Sequence, residues 1–371
     1  MLIFLYHLLA AYIAPGMMLA FSLCLLFLSV PGKEKLKSYV FARKVLGATF
    51  LVYGTALICE AVLREPLSGD LTNSMIVVAI GVTQAFLFTF SLTTLLDTSF
   101  LTRLTICRET VAVAAGIAVA FTLFALCPSS RQKLVFAAFS LCYVLLMARY
   151  VTMFRHCYQQ YHRRMDNFFS DDERKRLHWV PTAFYSATAV GVVALLFAWQ
   201  ISHVTQLLFM LSAAIYYSVF AIKFMNYVHI FPTIEVPLTD ASTEQADSSH
   251  TATDDEHALM EQIERLVADK ELFKKPDLSI ASVAALCGKS HRVVSTAINH
   301  SKGVNFKTYI NEWRVAEAIR LIEDGWLKRH TMNALAMETG FTSRVNLYRA
   351  FKRKTGMSPT DWIGSLDEQQ Q

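Results

Sequence analysis

Apolar residues dominate the first 226 positions of the chain, which then gives way to a polar sequence. Seven apolar runs stand out, and five of them contain no Asp, Glu, Lys or Arg. A charged residue near the bilayer centre costs about 2.5–3.5 kcal/mol, so runs of about 18 or more uncharged residues are typical of membrane-spanning helices. The pattern predicts seven spans, at Phe4–Val30, Val45–Val62, Ser74–Leu96, Thr110–Cys127, Leu134–Phe154, Val180–Ile201 and Val204–Ile222.

The short loops between these runs differ in their basic residues. The loops after the first, third and fifth runs carry thirteen Lys and Arg residues, whereas those on the other side carry three. Because Lys and Arg concentrate in cytoplasmic loops, the bias predicts a multi-pass protein with its N-terminus outside and its C-terminus in the cytoplasm.

The polar part of the chain begins with an acidic segment. No Lys or Arg occurs between Phe224 and Glu264, and Pro237–Glu256 is rich in Ser, Thr, Asp and Glu. Such a composition buries too little apolar surface to offset the entropy of ordering, so it favours a flexible tether. The sequence thus predicts a membrane domain at 1–226, an acidic linker at 227–256 and a soluble domain at 257–371.

The soluble domain contains two similar units on either side of a strongly periodic helix, Phe306–Glu323. A first helix is predicted at Ala258–Phe273. The first halves of the two units correspond at a distance of 52 positions: Ile280, Val283, Ala284 and Gly288 match Met332, Leu335, Ala336 and Gly340. The second halves correspond at 53: Ser290, Val294, Ala297 and Ile298 match Ser343, Leu347, Ala350 and Phe351. Each unit reads as a helix, a turn with glycine and a second helix capped by Ser, which is a helix-turn-helix.

The stretch GFTSRVNLYRAFKRKTGMSPTDW, from Gly340 to Trp362, resembles the AraC-type family of bacterial transcription regulators. The family pattern is filled by Gly340, Phe341, Ser343, Leu347, Phe351, Lys352, Gly356, Ser358 and Pro359, and in the first unit by Gly303, Phe306, Tyr309 and Arg314. The resemblance covers about 100 of the 371 residues. It implies a DNA-binding domain with tandem helix-turn-helix units, and a bacterial inner membrane as the location of the whole chain.

Carried over by position, the base-reading residues of that family fall on two helices. They are Arg292, Ser295 and Thr296 in the first unit, and Arg344, Val345, Tyr348 and Arg349 in the second. Between Thr339 and Thr360 the chain has five basic residues and no acidic one: Arg344, Arg349, Lys352, Arg353 and Lys354. Basic side chains on a recognition helix pair with guanine or neutralise phosphates, so the whole set is predicted to contact double-stranded DNA.

The remaining chemistry is sparse. The seven cysteines form no C-x-x-C pair, so neither a metal site nor a disulfide framework is expected, and no cofactor is implied. No catalytic cluster is recognisable, and the chain is interpreted as a non-enzyme. Intramembrane polar residues are candidates for function, which singles out Glu60 and Gln84 as sensing residues.

These features give a fold prediction and a function. The fold is all-α: a polytopic membrane helix bundle of seven spans, followed by a soluble all-helical tandem helix-turn-helix domain. The function is a membrane-anchored transcription regulator whose membrane domain senses an envelope or lipid-soluble signal or drives dimerisation. Double-stranded DNA, the lipid bilayer, RNA polymerase, a second copy of the chain and an unknown signal are the expected partners. Two alternatives stay open: an architectural tether of DNA to the membrane, and a transporter-like protein with a regulatory DNA-binding domain.

Overall fold

The computed structural model describes residues 8, 12–29, 37–63, 70–96, 103–170, 179–199, 203–226 and 254–369. These residues fall into two compact units. The N-terminal unit comprises Met1–Tyr161 and Leu177–Glu244, and the C-terminal unit comprises His162–Arg176 and Gln245–Gln371. Over the described part of the chain the regular structure is helical, as predicted. The predicted linker lies outside the described residues up to position 253.

Seven apolar helices of the N-terminal unit follow the predicted order. They are α1 (Ala14–Phe27), α2 (Lys37–Leu63), α3 (Asp70–Leu96), α4 (Arg103–Leu126), α5 (Ser129–Phe168), α6 (Trp179–Trp199) and α7 (His203–Asn226). Among the described residues, α2 to α6 give five helices that are long and apolar enough to cross a membrane, while the described part of α1 is shorter. Seven membrane crossings therefore stay a prediction.

Close packing in this unit depends on small residues and on one buried arginine. Helix α1 packs on α2, where the Ser22 hydroxyl donates to the Gly47 carbonyl at 2.8 Å. A Cβ at Gly47 would lie 2.8 Å from the side chain of Leu26, so glycine permits this approach. Arg43, which was assigned to a basic loop, instead lies in α2 and donates to the Cys24 and Leu28 carbonyls at 2.8 and 2.7 Å. It thereby satisfies carbonyls at the end of α1.

Helix α5 is longer than the sequence indicated. The predicted span ended at Phe154, whereas the helix continues to Phe168 and contains 40 residues. At 1.5 Å per residue it measures about 60 Å, roughly twice the thickness of a hydrocarbon core. Its extension is explained by a buried stripe at helical spacing: Cys157, Tyr161, Met165 and Phe168.

An ion pair joins α4 to α5. Glu109 is buried, and its two carboxylate oxygens accept from the Arg149 guanidinium at 2.9 and 2.6 Å. This two-point geometry is the strongest form of the contact, because the planar fork of arginine matches the carboxylate. The two residues are 40 positions apart, so no local pattern in the sequence indicates the pair.

The described residues of the C-terminal unit form seven further α-helices. They are α8 (Asp254–Asp269), α9 (Ile280–Cys287), α10 (His291–Lys302), α11 (Phe306–Glu323), α12 (Met332–Glu338), α13 (Arg344–Thr355) and α14 (Pro359–Gln369). The bounds of α11 are those predicted. The helix predicted at Ala258–Phe273 is divided, since α8 is followed by a 3₁₀ turn at Leu272–Lys274 that starts after a left-handed residue, Glu271 (φ 45°).

Two hydrophobic cores lie along α11. The N-terminal half of the helix contributes Phe306 and Ile310 to a core shared with α8, α9 and α10. The C-terminal half contributes Val315 and Ala318 to a core shared with α12 and α13. Each helix-turn-helix therefore has its own core, and one continuous helix links them.

Candidate nucleic-acid interface

The first helix-turn-helix is formed by α9 and α10. Helix α9 ends at Gly288, which has a left-handed conformation (φ 64°). Two residues later, the Ser290 side chain accepts from the backbone N–H of Val293 and caps α10. Glycine avoids the cost of left-handed backbone, and the serine satisfies an otherwise unpaired N–H, so the local sequence dictates this turn.

The second helix-turn-helix is formed by α12 and α13, and its turn has one more residue. Gly340 is left-handed (φ 86°), and the Ser343 side chain accepts from the Asn346 N–H at 3.2 Å. A Cβ at Gly340 would overlap the Phe273 carbonyl oxygen and lie 2.8 Å from Lys274 Cα. This turn is thus fixed both by backbone conformation and by close packing on the 3₁₀ turn.

Helix α13 presents most of the predicted DNA-binding residues together. Leu347, Ala350 and Phe351 are buried. The opposite face contains exposed or half-buried side chains at helical spacing: Arg344, Val345, Tyr348, Arg349 and Lys352. Arg353 is also exposed and lies at the edge of this face. We refer to these six residues as the α13 outer face.

Lys354 does not belong to that face. It follows Leu347 by seven positions and Ala350 by four, which places it on the same side of the helix as the buried residues. Its ammonium donates to the Glu312 carbonyl of α11 at 2.7 Å. The structure therefore engages Lys354 in fixing α13 to α11, and a phosphate contact by this residue stays a prediction.

Helix α10 presents a corresponding but less basic face. Val294, Ala297 and Ile298 are buried, and Arg292, Ser295 and Thr296 lie on the other side. Asn299 shares this face and was not singled out from the sequence. The 53-residue correspondence between the units pairs Asn299 with Lys352. That correspondence could have identified Asn299 from the sequence. An asparagine side chain can form two hydrogen bonds with adenine, so Asn299 extends the candidate interface.

Acidic groups behind the recognition helices are paired internally. The Glu317 carboxylate of α11 lies 2.9 Å from Arg320 Nε and 3.4 Å from Lys274 Nζ. Its hydrogen bond with Arg320 holds the pKa of Glu317 below the ordinary value, against the opposing effect of burial, and Lys274 lowers it further. The α13 outer face itself contains no acidic residue, so the charges that it contributes are all positive.

Arg314 connects the two halves of the C-terminal unit. It is fully buried on α11, and its guanidinium donates to the Phe273 carbonyl at 2.7 Å and the Lys275 carbonyl at 2.8 Å. The same guanidinium lies over the Phe341 ring, 5.5 Å from its centroid. Phe341 lies in the turn between α12 and α13, so one side chain holds that turn against the segment preceding α9.

Residues 165–170 complete this unit, although the sequence placed them outside the DNA-binding domain. Arg314 also donates to the Ser170 hydroxyl at 3.0 Å, and the Ser170 N–H donates to the Leu278 carbonyl at 3.0 Å. Asp166 accepts from Lys307 at 3.0 Å, and Phe168 is buried in the core that contains α9 and α10. We call residues 165–170 the docking segment.

The docking segment also reaches the first recognition helix. The Phe168 ring lies 6.0 Å from the ring of His291, the first residue of α10. A stretch of chain well before the DNA-binding domain thus contacts the start of a helix predicted to enter the major groove. No residue pattern in the sequence signals this, because the contact is non-local.

The two predicted sensing residues have different outcomes. Gln84 lies on α3, and its Oε1 accepts from the Tyr217 hydroxyl of α7 at 3.3 Å. Glu60 lies in α2, but its side chain is outside the described part of the structure. Within the described residues, no group of three or more His, Cys, Asp or Glu side chains has the geometry of a metal site.

Comparison with known proteins bears on the C-terminal unit. The chain has no significant match among curated proteins or among solved structures. Residues 283–365 match a family model described as a helix-turn-helix domain. The match begins in α9, ends in α14 and includes both recognition helices. It supports an AraC-type helix-turn-helix domain at the C-terminus and hence binding of double-stranded DNA in transcription regulation.

Proposed function

We propose that the chain is a membrane-anchored, sequence-specific transcription regulator. The observation that carries the proposal is the α13 outer face, which presents four basic residues and no acid on a helix within the region matched by the helix-turn-helix family. Arginine pairs with guanine at two points, and lysine neutralises phosphate without reading sequence. A second recognition helix with Arg292 and Asn299 doubles the length of DNA that is read.

Membrane anchoring is supported by the N-terminal unit. Five described helices are long and apolar enough to span a bilayer, and large apolar side chains are exposed on them, for example Leu104, Leu126 and Leu134. Side chains of this kind are stable in hydrocarbon and unfavourable in water. With the loop charge bias, this favours a multi-pass protein of the bacterial inner membrane whose C-terminal unit is in the cytoplasm.

Regulation follows from this arrangement. The N-terminal unit receives an envelope or lipid-soluble signal, and the C-terminal unit responds by a change in DNA occupancy or in pairing with a second copy. RNA polymerase is the partner at the promoter. An architectural tether would bind DNA equally well but would leave transcription unchanged.

Site selection with the purified full chain tests DNA recognition. We expect the protein in detergent to enrich a defined sequence from a random duplex library. Joint replacement of Arg344, Arg349 and Lys352 by Ala should abolish the enrichment. A control variant removes the same charge elsewhere in the unit, by replacing Lys270, Lys328 and Arg329 with Ala, and should still enrich that sequence.

The regulatory role needs a second readout. A promoter carrying the selected sequence should change its output when the gene is deleted. Enrichment of no sequence, or equal loss in the two triple variants, would contradict recognition by the α13 outer face. Enrichment of a sequence without a change in promoter output would favour an architectural tether over a transcription regulator.

A further inference from the structure

The N-terminal unit contains cavities that meet at Gln84. Three cavities in the described part of the chain include this residue in their walls, and their volumes are about 40, 80 and 240 Å³. Their walls come from helices α2 to α7, and they contain no Asp, Glu, Lys or Arg. A charged ligand would find no counter-charge there, and burying an unpaired charge is prohibitively costly. The space therefore suits a neutral molecule.

Two polar groups in these walls are left without partners. Gln84 Nε2 and the Tyr150 hydroxyl are both buried and have no hydrogen-bond partner among the described residues. Tyr217 satisfies one end of the Gln84 amide, so the other end is unpaired whichever way the amide is oriented. An unpaired buried polar group costs about 1–3 kcal/mol, and such groups are rare unless they serve a purpose.

Two glycines make room at the same place. A Cβ at Gly81 would lie 3.1 Å from the Tyr143 hydroxyl, and one at Gly191 would lie 2.8 Å from it. The Tyr143 hydroxyl thus fits between α3 and α6 because both positions lack a side chain. Together with Gln84 and Tyr150 it lines the smallest of the three cavities, about 40 Å³, so three polar groups share a wall that is otherwise mainly apolar and aromatic.

We propose that these three cavities together bind a neutral, lipophilic ring compound that carries a carbonyl oxygen. The aromatic walls take the ring, and Gln84 Nε2 and the Tyr150 hydroxyl each donate a hydrogen bond to the oxygen. Mainly apolar pockets with a few polar groups that fix orientation are the usual form of small-molecule sites. The inference rests on the proposed function, because it places the unit in a bilayer that supplies such a ligand. It names the chemical class of the signal.

Photolabelling with benzophenone tests the proposal. This probe has two aromatic rings and one carbonyl, and on irradiation the carbonyl inserts into nearby C–H bonds. The purified full chain in lipid nanodiscs is labelled over a range of probe concentrations, and the modified residues are mapped by mass spectrometry. We expect saturable labelling of wall residues such as Met147. Replacing Gln84 with Leu or Tyr150 with Phe should raise the probe concentration needed for half-maximal labelling about two- to tenfold, because one hydrogen bond is lost.

The control removes a hydroxyl from the same helix at a position outside the three cavities. Tyr161→Phe on α5 should leave labelling unchanged. Label that does not saturate and is spread over the exposed α4 residues Val111 and Leu123 would overturn the proposal, as would equal labelling in the Gln84, Tyr150 and Tyr161 variants. The Tyr150 variant decides the matter if Gln84→Leu does not fold.

DNA binding separates this inference from the proposed function. The Gln84→Leu protein should still bind the selected DNA sequence when no probe is present. Saturable labelling in a protein that binds no DNA would support the ligand site and contradict the proposed role as a regulator. Sequence-specific DNA binding without saturable labelling would retain the regulator and refute the ligand site.

Discussion

Gly288 and Gly340 occupy corresponding places in the two turns but have different surroundings. Both are left-handed, with φ of 64° and 86°. No atom lies within 4 Å of a Cβ built on Gly288, whereas a Cβ on Gly340 would overlap the backbone of Phe273 and Lys274. The same substitution therefore tests backbone conformation alone at one site, and conformation together with packing at the other.

We expect Gly288→Ala to lower the free energy of unfolding of the C-terminal unit by about 1–2 kcal/mol, the cost of a left-handed alanine. Gly340→Ala should cost well over that amount, because backbone atoms must move. Urea unfolding followed by tryptophan fluorescence measures both, since Trp313, Trp326 and Trp362 lie in this unit. Equal losses would show that the contact with the 3₁₀ turn is not important.

Arg349 and Lys354 carry the same charge on one helix and face opposite ways. Arg349→Ala should weaken binding to the selected DNA by about 1–3 kcal/mol and relax the preference at one base pair. Lys354→Ala should reduce binding to all sequences slightly and equally, because it removes charge but no base contact. Binding curves on cognate and scrambled duplexes measure both effects. A change of base preference in the Lys354 variant would contradict the orientation described for α13.

At the residue scale, the sequence predicted well which side chains share one face of a helix, and poorly which side chains contact each other within the fold. Position in the family pattern and charge picked out Arg344, Arg349 and Lys352, and the structure brings these residues together on one side of α13. The hydrogen bond between Gln84 and Tyr217 joins residues 133 positions apart, and no local pattern encodes such a pairing. For Lys354, charge suggested DNA, and the tertiary contact with α11 shows a structural role that composition does not reveal.

Among the elements, α11 was predicted with its observed bounds and α5 was not. Helix α11 begins after Asn305, whose side chain accepts from the Thr308 N–H at 2.9 Å, and it is periodic throughout. Helix α5 was ended at Phe154 because the following residues are basic. The stripe that keeps them helical includes Met165 and Phe168, which are buried and belong to the C-terminal unit. Whether these residues form a buried stripe depends on the tertiary fold, which the local sequence does not specify.

The ion pair of Asp166 with Lys307 is expected to stabilise the docking segment. Both side chains are largely buried, with 19% and 13% exposure, so solvent screens the pair weakly. Asp166→Lys should destabilise the C-terminal unit, and adding Lys307→Asp should restore part of the loss, with a coupling energy of about 0.5–3 kcal/mol. The unfolding assay used for the glycine variants measures this in the full chain.

A solvent-exposed pair provides the control. Glu261 and Arg265 lie on α8 at a distance of 3.6 Å, each 72% exposed. Reversing one or both charges there should change stability by less than about 1 kcal/mol. If the double reversal at Asp166 and Lys307 restores nothing, the pair does not contribute to docking.

For the whole molecule, the charge bias of the loops gives a topology that can be measured. A reporter fused after Ile222 should be active in the cytoplasm, and one inserted at 65–69, between α2 and α3, should be active outside. The expectation follows from thirteen basic loop residues on one side against three on the other. Two reporters on the same side would refute the seven-span arrangement.

Domain organisation was only partly readable from composition. The change from apolar to polar sequence separated the two main stretches of chain, and the repeat identified the helix-turn-helix units. Composition could not show that the docking segment belongs with the second stretch, because Arg314 and Ser170 are 144 positions apart. From composition alone, basic residues that follow a predicted span are assigned to a loop, even when they pack against another part of the protein.

The docking segment bears on how the protein would respond to proteolysis. One cut in the part of the predicted linker (227–256) that precedes α8 would break the chain. The fragment beginning at α8 would nevertheless keep the docking segment in its core, and that segment is covalently continuous with α5. A nicked protein should therefore sediment with membranes, and the fragment should appear in the soluble fraction only when the Asp166→Lys change is added. Cleavage of the chain and release of its DNA-binding part are separate events. Cleavage alone would therefore not release the DNA-binding part from the membrane.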